Sequence, residues 1–185
     1  RALITVLLSR VSPIRWVVAL SERLIASEIG RRLAIRLLRG QSCPALKAGA
    51  NQYVRSVLTA FRNEEIHRRL RQHINQGHYV LLASNSLDII VSEIGVELGV
   101  GFIASQLAFE NNRCLGVTSR DLAGLKHEAV KKIIFERGDV TDVFVYTDNI
   151  SDFKLLELAN HKFIVVPRGH YITKWKGLRG EYICL

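Results

Sequence analysis

Ser84-Asn85-Ser86 follows an apolar run, His78–Ala83, and precedes a stretch whose apolar residues recur at helical spacing. A hydroxyl at the carboxyl end of a strand sits where the following helix aims its unpaired N–H groups. That arrangement suits an anion, phosphate above all. Serine and asparagine are also ordinary helix caps, so capping alone would explain them. Lys126 stands at the start of a second helical stretch. A lysine there opposes the helix macrodipole, and a bound anion would offset the cost. As a lone surface lysine it would need no ligand. A third stretch, Thr147-Asp148-Asn149-Ile150-Ser151-Asp152, follows the apolar run Asp142–Tyr146. Asp148 and Asp152, four apart at a strand-to-helix junction, offer hard oxygen ligands for Mg²⁺, with water and phosphate completing the shell. Either aspartate alone would be accounted for as a helix N-cap.

These groups become a site only if strands and helices deliver them to one edge. The periodicity predicts strands over His78–Ala83, Phe102–Ala104, Leu107–Phe109, Asp142–Tyr146 and Lys162–Val166, the last ended by Pro167. Glu110-Asn111-Asn112 is turn chemistry. Helices are predicted over Ser86–Leu98, with Gly99 as C-cap, over Gly124–Arg137, ending at Gly138, and over Ser151–Ala159. Alternation of strand and helix implies βαβ units, a parallel sheet and helices on both faces. Ligands of such sheets bind beyond the carboxyl ends of the strands. Upstream, Pro13–Arg39 and residues 50–76 read as helical, with a break at Gly40–Pro44.

The chain has 185 residues, 48% hydrophobic and 23% charged, the composition of a folded globular protein. Its charge is uneven. Residues 1–75 hold 14 Lys and Arg against 4 Glu, and the remainder holds 12 against 13 acidic residues. Arg31, Arg32, Arg36 and Arg39 alternate with Leu33, Ile35, Leu37 and Leu38. Such a stretch reads as a solvated helix face, as a surface that attracts an anionic substrate, or as a peripheral contact with an anionic membrane. Nucleic acid is not expected, since no aromatic residues are interleaved with this charge. No run approaches the roughly 20 apolar residues of a membrane span. Cys43, Cys114 and Cys184 lack metal-site spacing, and free thiols favour the cytoplasm. Tyr171, Trp175 and Tyr182 read as packing residues, and neither His127 nor His170 is assigned a role.

In order and context the three stretches resemble the later motifs of the haloacid dehalogenase superfamily, in its phosphoserine-phosphatase-like branch. GHYVLLASNSLDIIVSEIGVELGV is similar to that branch's strand, S-x-S motif and helix, and GLKHEAVKKI to its lysine-bearing helix. VFVYTDNISDFKLLELANHKFIVVP is similar to its GDSxxDxxLLxxA ending. The clear resemblance covers residues 77–167. It implies an α/β fold: a Rossmann-like parallel sheet over residues 76–185, with residues 1–75 as an N-terminal helical cap. It implies a Mg²⁺-dependent phosphomonoesterase acting on a small phosphorylated metabolite or a lipid phosphate. Ser84 would hydrogen-bond the phosphoryl group and Asn85 would add its backbone N–H. Lys126 would neutralise charge, Asp148 would bind Mg²⁺, and Asp152 would support the metal through water or by orienting its neighbours. Arg55 is a candidate substrate contact in the cap. Thr147 stands where the family has glycine, and Asn149 where it has serine or glycine.

The family's first motif, DxDxT, carries the aspartate nucleophile, and no DxD occurs in the chain; the first aspartate is Asp88. The chain starts at Arg1 and contains no methionine. The motif is therefore expected upstream, which would leave this chain without its nucleophile. The alternative is a degenerate, phosphate-binding relative in which Leu3–Leu8 serves as the first strand. A nucleotide-binding Rossmann domain ranks below both, because neither GxGxxG nor GxxxxGK[ST] follows any strand.

Overall fold

The computed structural model describes residues 28–56, 62–166, 175 and 177–185. The expected strand Leu3–Leu8, the first part of the expected helix Pro13–Arg39, Pro167, His170 and Tyr171 lie outside the described residues. The fold class is α/β, with parallel strands and helices. The chain divides into two compact units between Asp121 and Leu122.

The first unit holds α1 (Glu28–Arg36), α2 (Cys43–Ser56), α3 (Glu64–Asn75), β1 (Leu81–Leu87), α4 (Asp88–Leu98), β2 (Gly101–Glu110) and β3 (Arg113–Arg120). Its sheet runs β1-β2-β3. β1 and β2 are parallel, joined by α4 as a βαβ crossover, and β2 and β3 are an antiparallel hairpin. α4 stops where Gly99 turns left-handed, at φ 67° and ψ 33°. Its start is pinned by Asp88, whose carboxylate accepts from the N–H groups of Ile89 (3.0 Å) and Leu107 (3.2 Å). The core gathers Ile35 and Leu38 from the end of the first helix, Leu46, Ala50, Tyr53 and Val54 from α2, Ile89 and Ile90 from α4, and Leu107 and Cys114 from the hairpin.

The structure departs from the sequence expectations at three places here. Phe102–Ala104 and Leu107–Phe109 form one continuous strand, and a further strand, β3, was not expected. The hairpin turns on Asn111 and Asn112, at φ 45° and 64°, the left-handed pair that asparagine tolerates in tight hairpins. Polar side chains and Gly116 hide β3 from the periodicity. Gly116 itself has φ +70°, and a Cβ there would lie 2.9 Å from the Arg39 Cβ and 3.2 Å from the Arg36 carbonyl oxygen. Only glycine lets the end of the first helix settle on the hairpin. The expected break at Gly40–Pro44 is shorter as well. α2 begins at Cys43, with Ser42 Oγ accepting from Ala45 N–H at 3.3 Å, and proline suits the first turn of a helix.

α3 is capped by Asn63, whose Oδ1 accepts from Ile66 N–H at 3.0 Å. Arg68 and Arg69 hydrogen-bond Glu65 and hold its carboxyl at about 2. At the helix end the Nδ1 atoms of His73 and His78 lie 2.8 Å apart. Burial, then the neighbouring His78 and Arg69, push His73 below the usual histidine range. A lowered folded value means that the unfolded chain takes up the proton first. The stability His73 contributes is complete above the ordinary value of about 6.5 and is lost as pH falls through the lower folded value. We expect the urea midpoint to drop between pH 7.5 and 5.5, and to drop less in His73→Gln. An equal drop in both would remove His73 as the cause.

The second unit holds α5 (Lys126–Arg137), β4 (Phe144–Thr147), a 3₁₀ turn (Ile150–Asp152), α6 (Phe153–Glu157), β5 (His161–Val166) and β6 (Glu181–Cys184). Its sheet, β4-β5-β6, is parallel throughout. Val145, Leu155, Leu156, Ala159, Ile164, Val166 and Trp175 form its core. Tyr182 donates its hydroxyl toward the carbonyls of Trp175 and Leu178, both at 3.1 Å. β6 was not expected, and the expected helix Ser151–Ala159 is a 3₁₀ turn followed by the short α6. The three cysteines are free thiols: Cys114 is buried, Cys43 partly buried and Cys184 exposed.

Candidate active site

Ser84-Asn85-Ser86 lie inside β1 and not after it, since the strand runs Leu81–Leu87 where His78–Ala83 was expected, and at these three residues the β1–β2 ladder is interrupted. Ala83 pairs with Ile103, and the next pair is Leu87 with Ser105. Ser84, Asn85 and Ser86 thus leave the ladder together while β2 passes only Ala104. An interruption of this kind re-aims side chains, and such features gather at functional sites. Ser84 Oγ accepts from Ser86 N–H at 3.1 Å, which leaves the serine hydroxyl hydrogen available as a donor. The Asn85 side-chain oxygen is buried, and among the described residues it has no partner.

A second cluster borders this turn and was missed at the sequence level. The Arg31 guanidinium donates to both oxygens of Asp121 (2.6 and 2.9 Å), to Ser105 Oγ (3.1 Å) and to the Asn85 carbonyl (3.2 Å). Ser105, which is fully buried, donates to Asp121 at 3.1 Å. A signal for it was present. Arg31 shares a helix face with Ile35 and Leu38, both buried, and a charge on an apolar stripe demands a partner. Arg55 lies exposed in the last turn of α2. Among the described residues it makes no hydrogen bond or ion pair to Ser84 or Asn85.

In the second unit, Lys126 and Asp152 meet. Lys126 Nζ lies 2.5 Å from Asp152 Oδ1, and their side chains are only 11% and 8% exposed. The other carboxylate oxygen of Asp152 accepts from Thr147 Oγ1 at 2.9 Å. Thr147 Oγ1 in turn accepts from Asn149 N–H at 3.0 Å, and Asn149 Oδ1 accepts from Ser151 N–H at 3.0 Å. This chain of bonds shapes the segment that follows β4. The threonine in place of the family's glycine is therefore part of the scaffold: its hydroxyl ties the strand end to Asp152. Asp148, in the same segment, is exposed, and no hydrogen bond or ion pair among the described residues engages it. Asp148 thus offers an open hard-oxygen ligand that suits Mg²⁺, an ion that takes one or two carboxylates and keeps several waters. Both oxygens of Asp152 are already committed to Lys126 and Thr147. Among the described residues, no group of three or more His, Cys, Asp or Glu gathers as a metal site, and no helix is long and apolar enough to cross a membrane.

Comparison with known proteins adds the family context. The model of the haloacid dehalogenase-like hydrolase family matches residues 5–157. No curated protein matches the chain. Among solved structures, a protein of unknown function from Bordetella pertussis Tohama I is 17% identical with a TM-score of 0.80, over 98% of this chain and 88% of that one. A HAD family hydrolase from Salmonella enterica serovar Typhi is 12% identical with a TM-score of 0.67, over 99% and 62%. A phosphoserine phosphatase determined as a phospho-aspartyl intermediate analogue is 20% identical with a TM-score of 0.59, over 83% and 69%. At these identities the likeness is one of fold.

Proposed function

Because the chain belongs to the haloacid dehalogenase-like hydrolase family, we propose that it serves a Mg²⁺-dependent phosphomonoester hydrolase that works through an aspartyl-phosphate. A small phosphorylated metabolite or a lipid phosphate is the substrate class. The observation that carries the reading is the buried Lys126–Asp152 pair, with the exposed carboxylate of Asp148 in the same segment after β4. A lysine fixed in this way presents charge with little reorganisation, which is what phosphoryl transfer asks of a protein. Asp152 does the fixing, through Lys126 on one oxygen and Thr147 on the other.

The other roles follow from local chemistry. Ser84 donates its hydroxyl hydrogen to a phosphoryl oxygen, while one of its two lone pairs accepts from Ser86 N–H. Asn85 adds its backbone N–H. Asp148 would hold Mg²⁺, and the bound ion would neutralise charge on the transferring group. Arg55 is kept as a candidate contact with the remainder of the substrate. The aspartate nucleophile has no DxD counterpart within these 185 residues. The chain alone is therefore expected to bind phosphate without turning it over.

Hydrolysis of p-nitrophenyl phosphate, with and without Mg²⁺, tests this. The 185-residue chain should be inactive. A form joined to a DxDxT-bearing first strand should be active only with the metal, and Asp148→Asn should lower its turnover at least ~100-fold. Undiminished turnover by Asp148→Asn would remove that residue from the metal site. If the joined form folds and hydrolyses no phosphomonoester, the reading passes to a non-catalytic phosphate-binding relative.

A further inference from the structure

We propose that Arg31 is the positioning residue of the phosphoryl-binding turn, holding Ser84 in its donating geometry through the Asn85–Ser86 peptide. The proposal rests on the reading of Ser84 as a phosphoryl donor and deepens it.

The argument starts from what the turn lacks. Ser84, Asn85 and Ser86 have no ladder partners on β2, so the β1–β2 ladder does not hold them. The Asn85 side chain does not anchor them either, because its buried oxygen has no partner among the described residues. Among the described residues, what remains is one peptide unit gripped at both ends. Its carbonyl, from Asn85, accepts from Arg31 at 3.2 Å. Its N–H, from Ser86, donates to Ser84 Oγ at 3.1 Å. Rotation of that peptide would break both bonds together. While Arg31 holds the carbonyl, the Ser84 oxygen keeps accepting from Ser86 N–H and its hydroxyl hydrogen stays free to donate.

Arg31 is itself fixed. It forms a two-bond fork with Asp121 and a bond to Ser105, and Ser105 pairs with Leu87, the residue at which the β1–β2 ladder resumes. The guanidinium therefore spans the interruption, from the strand that continues to the turn that departs. Arginine suits this, since two guanidinium nitrogens together reach four acceptor atoms on three partners, whereas an ammonium offers three donors from a single point.

The test titrates inorganic phosphate into the 185-residue chain and follows the backbone amide signals of residues 84–86 by NMR. Wild type, Ser84→Ala, Arg31→Lys and Asp121→Asn are compared, with thermal melting recorded alongside. Wild type should show saturable shifts, and Ser84→Ala should weaken them. Arg31→Lys should weaken phosphate binding at least tenfold and displace the Ser86 amide signal before any phosphate is added. Asp121→Asn should show the same signature in smaller measure. A purely structural role would lower the melting temperature without moving the Ser86 signal in molecules that remain folded.

If wild type shows no shifts, or Ser84→Ala binds as wild type does, the phosphate reading of the turn fails and takes the inference with it. If Ser84→Ala loses binding while Arg31→Lys stays within twofold and leaves the Ser86 signal in place, the inference alone is overturned. Should Arg31→Lys not fold, an unmoved Ser86 signal in Asp121→Asn overturns it equally.

Discussion

Asp152→Ala should destabilise the second unit by about 3–5 kcal/mol, the cost of leaving one member of a buried ion pair without its partner. The Lys126 and Asp152 side chains are 11% and 8% exposed, so water cannot replace what is removed. The loss is compounded at Thr147, whose hydroxyl donates to the same carboxylate. Asp152→Asn should cost less, because an amide oxygen still accepts from Thr147, yet it leaves the lysine charge unbalanced. Urea unfolding followed by Trp175 fluorescence reads the effect, since Trp175 is buried in the same core. An unchanged midpoint in Asp152→Ala would show that the pair contributes nothing to the fold.

Lys126→Ala should lower phosphatase turnover by ~10²–10³-fold in a form that carries the aspartate nucleophile, the usual loss when one preorganised group is taken from a developing anion. Stability and catalysis can be separated at this pair. Replacing both charges with apolar residues of similar volume, as in Lys126→Met with Asp152→Leu, removes the unpaired charge along with the pair. Such replacements are often neutral or stabilising. The double variant should therefore recover most of the stability lost by Asp152→Ala while remaining as inactive as Lys126→Ala. Recovery of turnover in the double variant would remove Lys126 from the chemistry. Failure to recover stability would mean that Thr147, rather than Lys126, carries the structural role of Asp152.

Much of this was legible in the chain because the informative residues were local. Gly99 and Gly138 sit in left-handed caps where helix-end chemistry placed them, and Asn111 and Asn112 turn the hairpin. The helix-start position of Lys126 and the position of Asp148 directly after β4 followed from periodicity, whereas Ser84 lies inside β1 and not beyond its end. What was illegible depended on distant partners. β3 carries glycine and polar residues within the strand, and its place is set by β2 and by the backbone of residues 40–43, for example the Gly40 N–H bond to the Cys114 carbonyl. β6 is a four-residue strand whose register is defined only by β5. Arg31 looked like one of several arginines on a basic stretch. Its contacts with Asp121 and Asn85 lie 90 and 54 residues away in sequence, and no local pattern reports such a pairing. The interruption of the ladder at Ser84 was invisible for the same reason, since register belongs to two strands and not to one.

The graded burial of the three thiols makes the chain its own clock for solvent opening. Cys184 is exposed and reacts from the native state, whereas Cys114 is 1% exposed and packed within the hairpin core. Alkylation at Cys114 must wait for the β2–β3 hairpin to lift away from the core, so its rate measures the population of that open form wherever reclosing outpaces the reagent. The same hairpin carries Ser105, one of the anchors of Arg31. Each lifting event that admits a reagent to Cys114 thereby also disturbs the support beneath the Ser84 turn, and the two are tied by a single equilibrium.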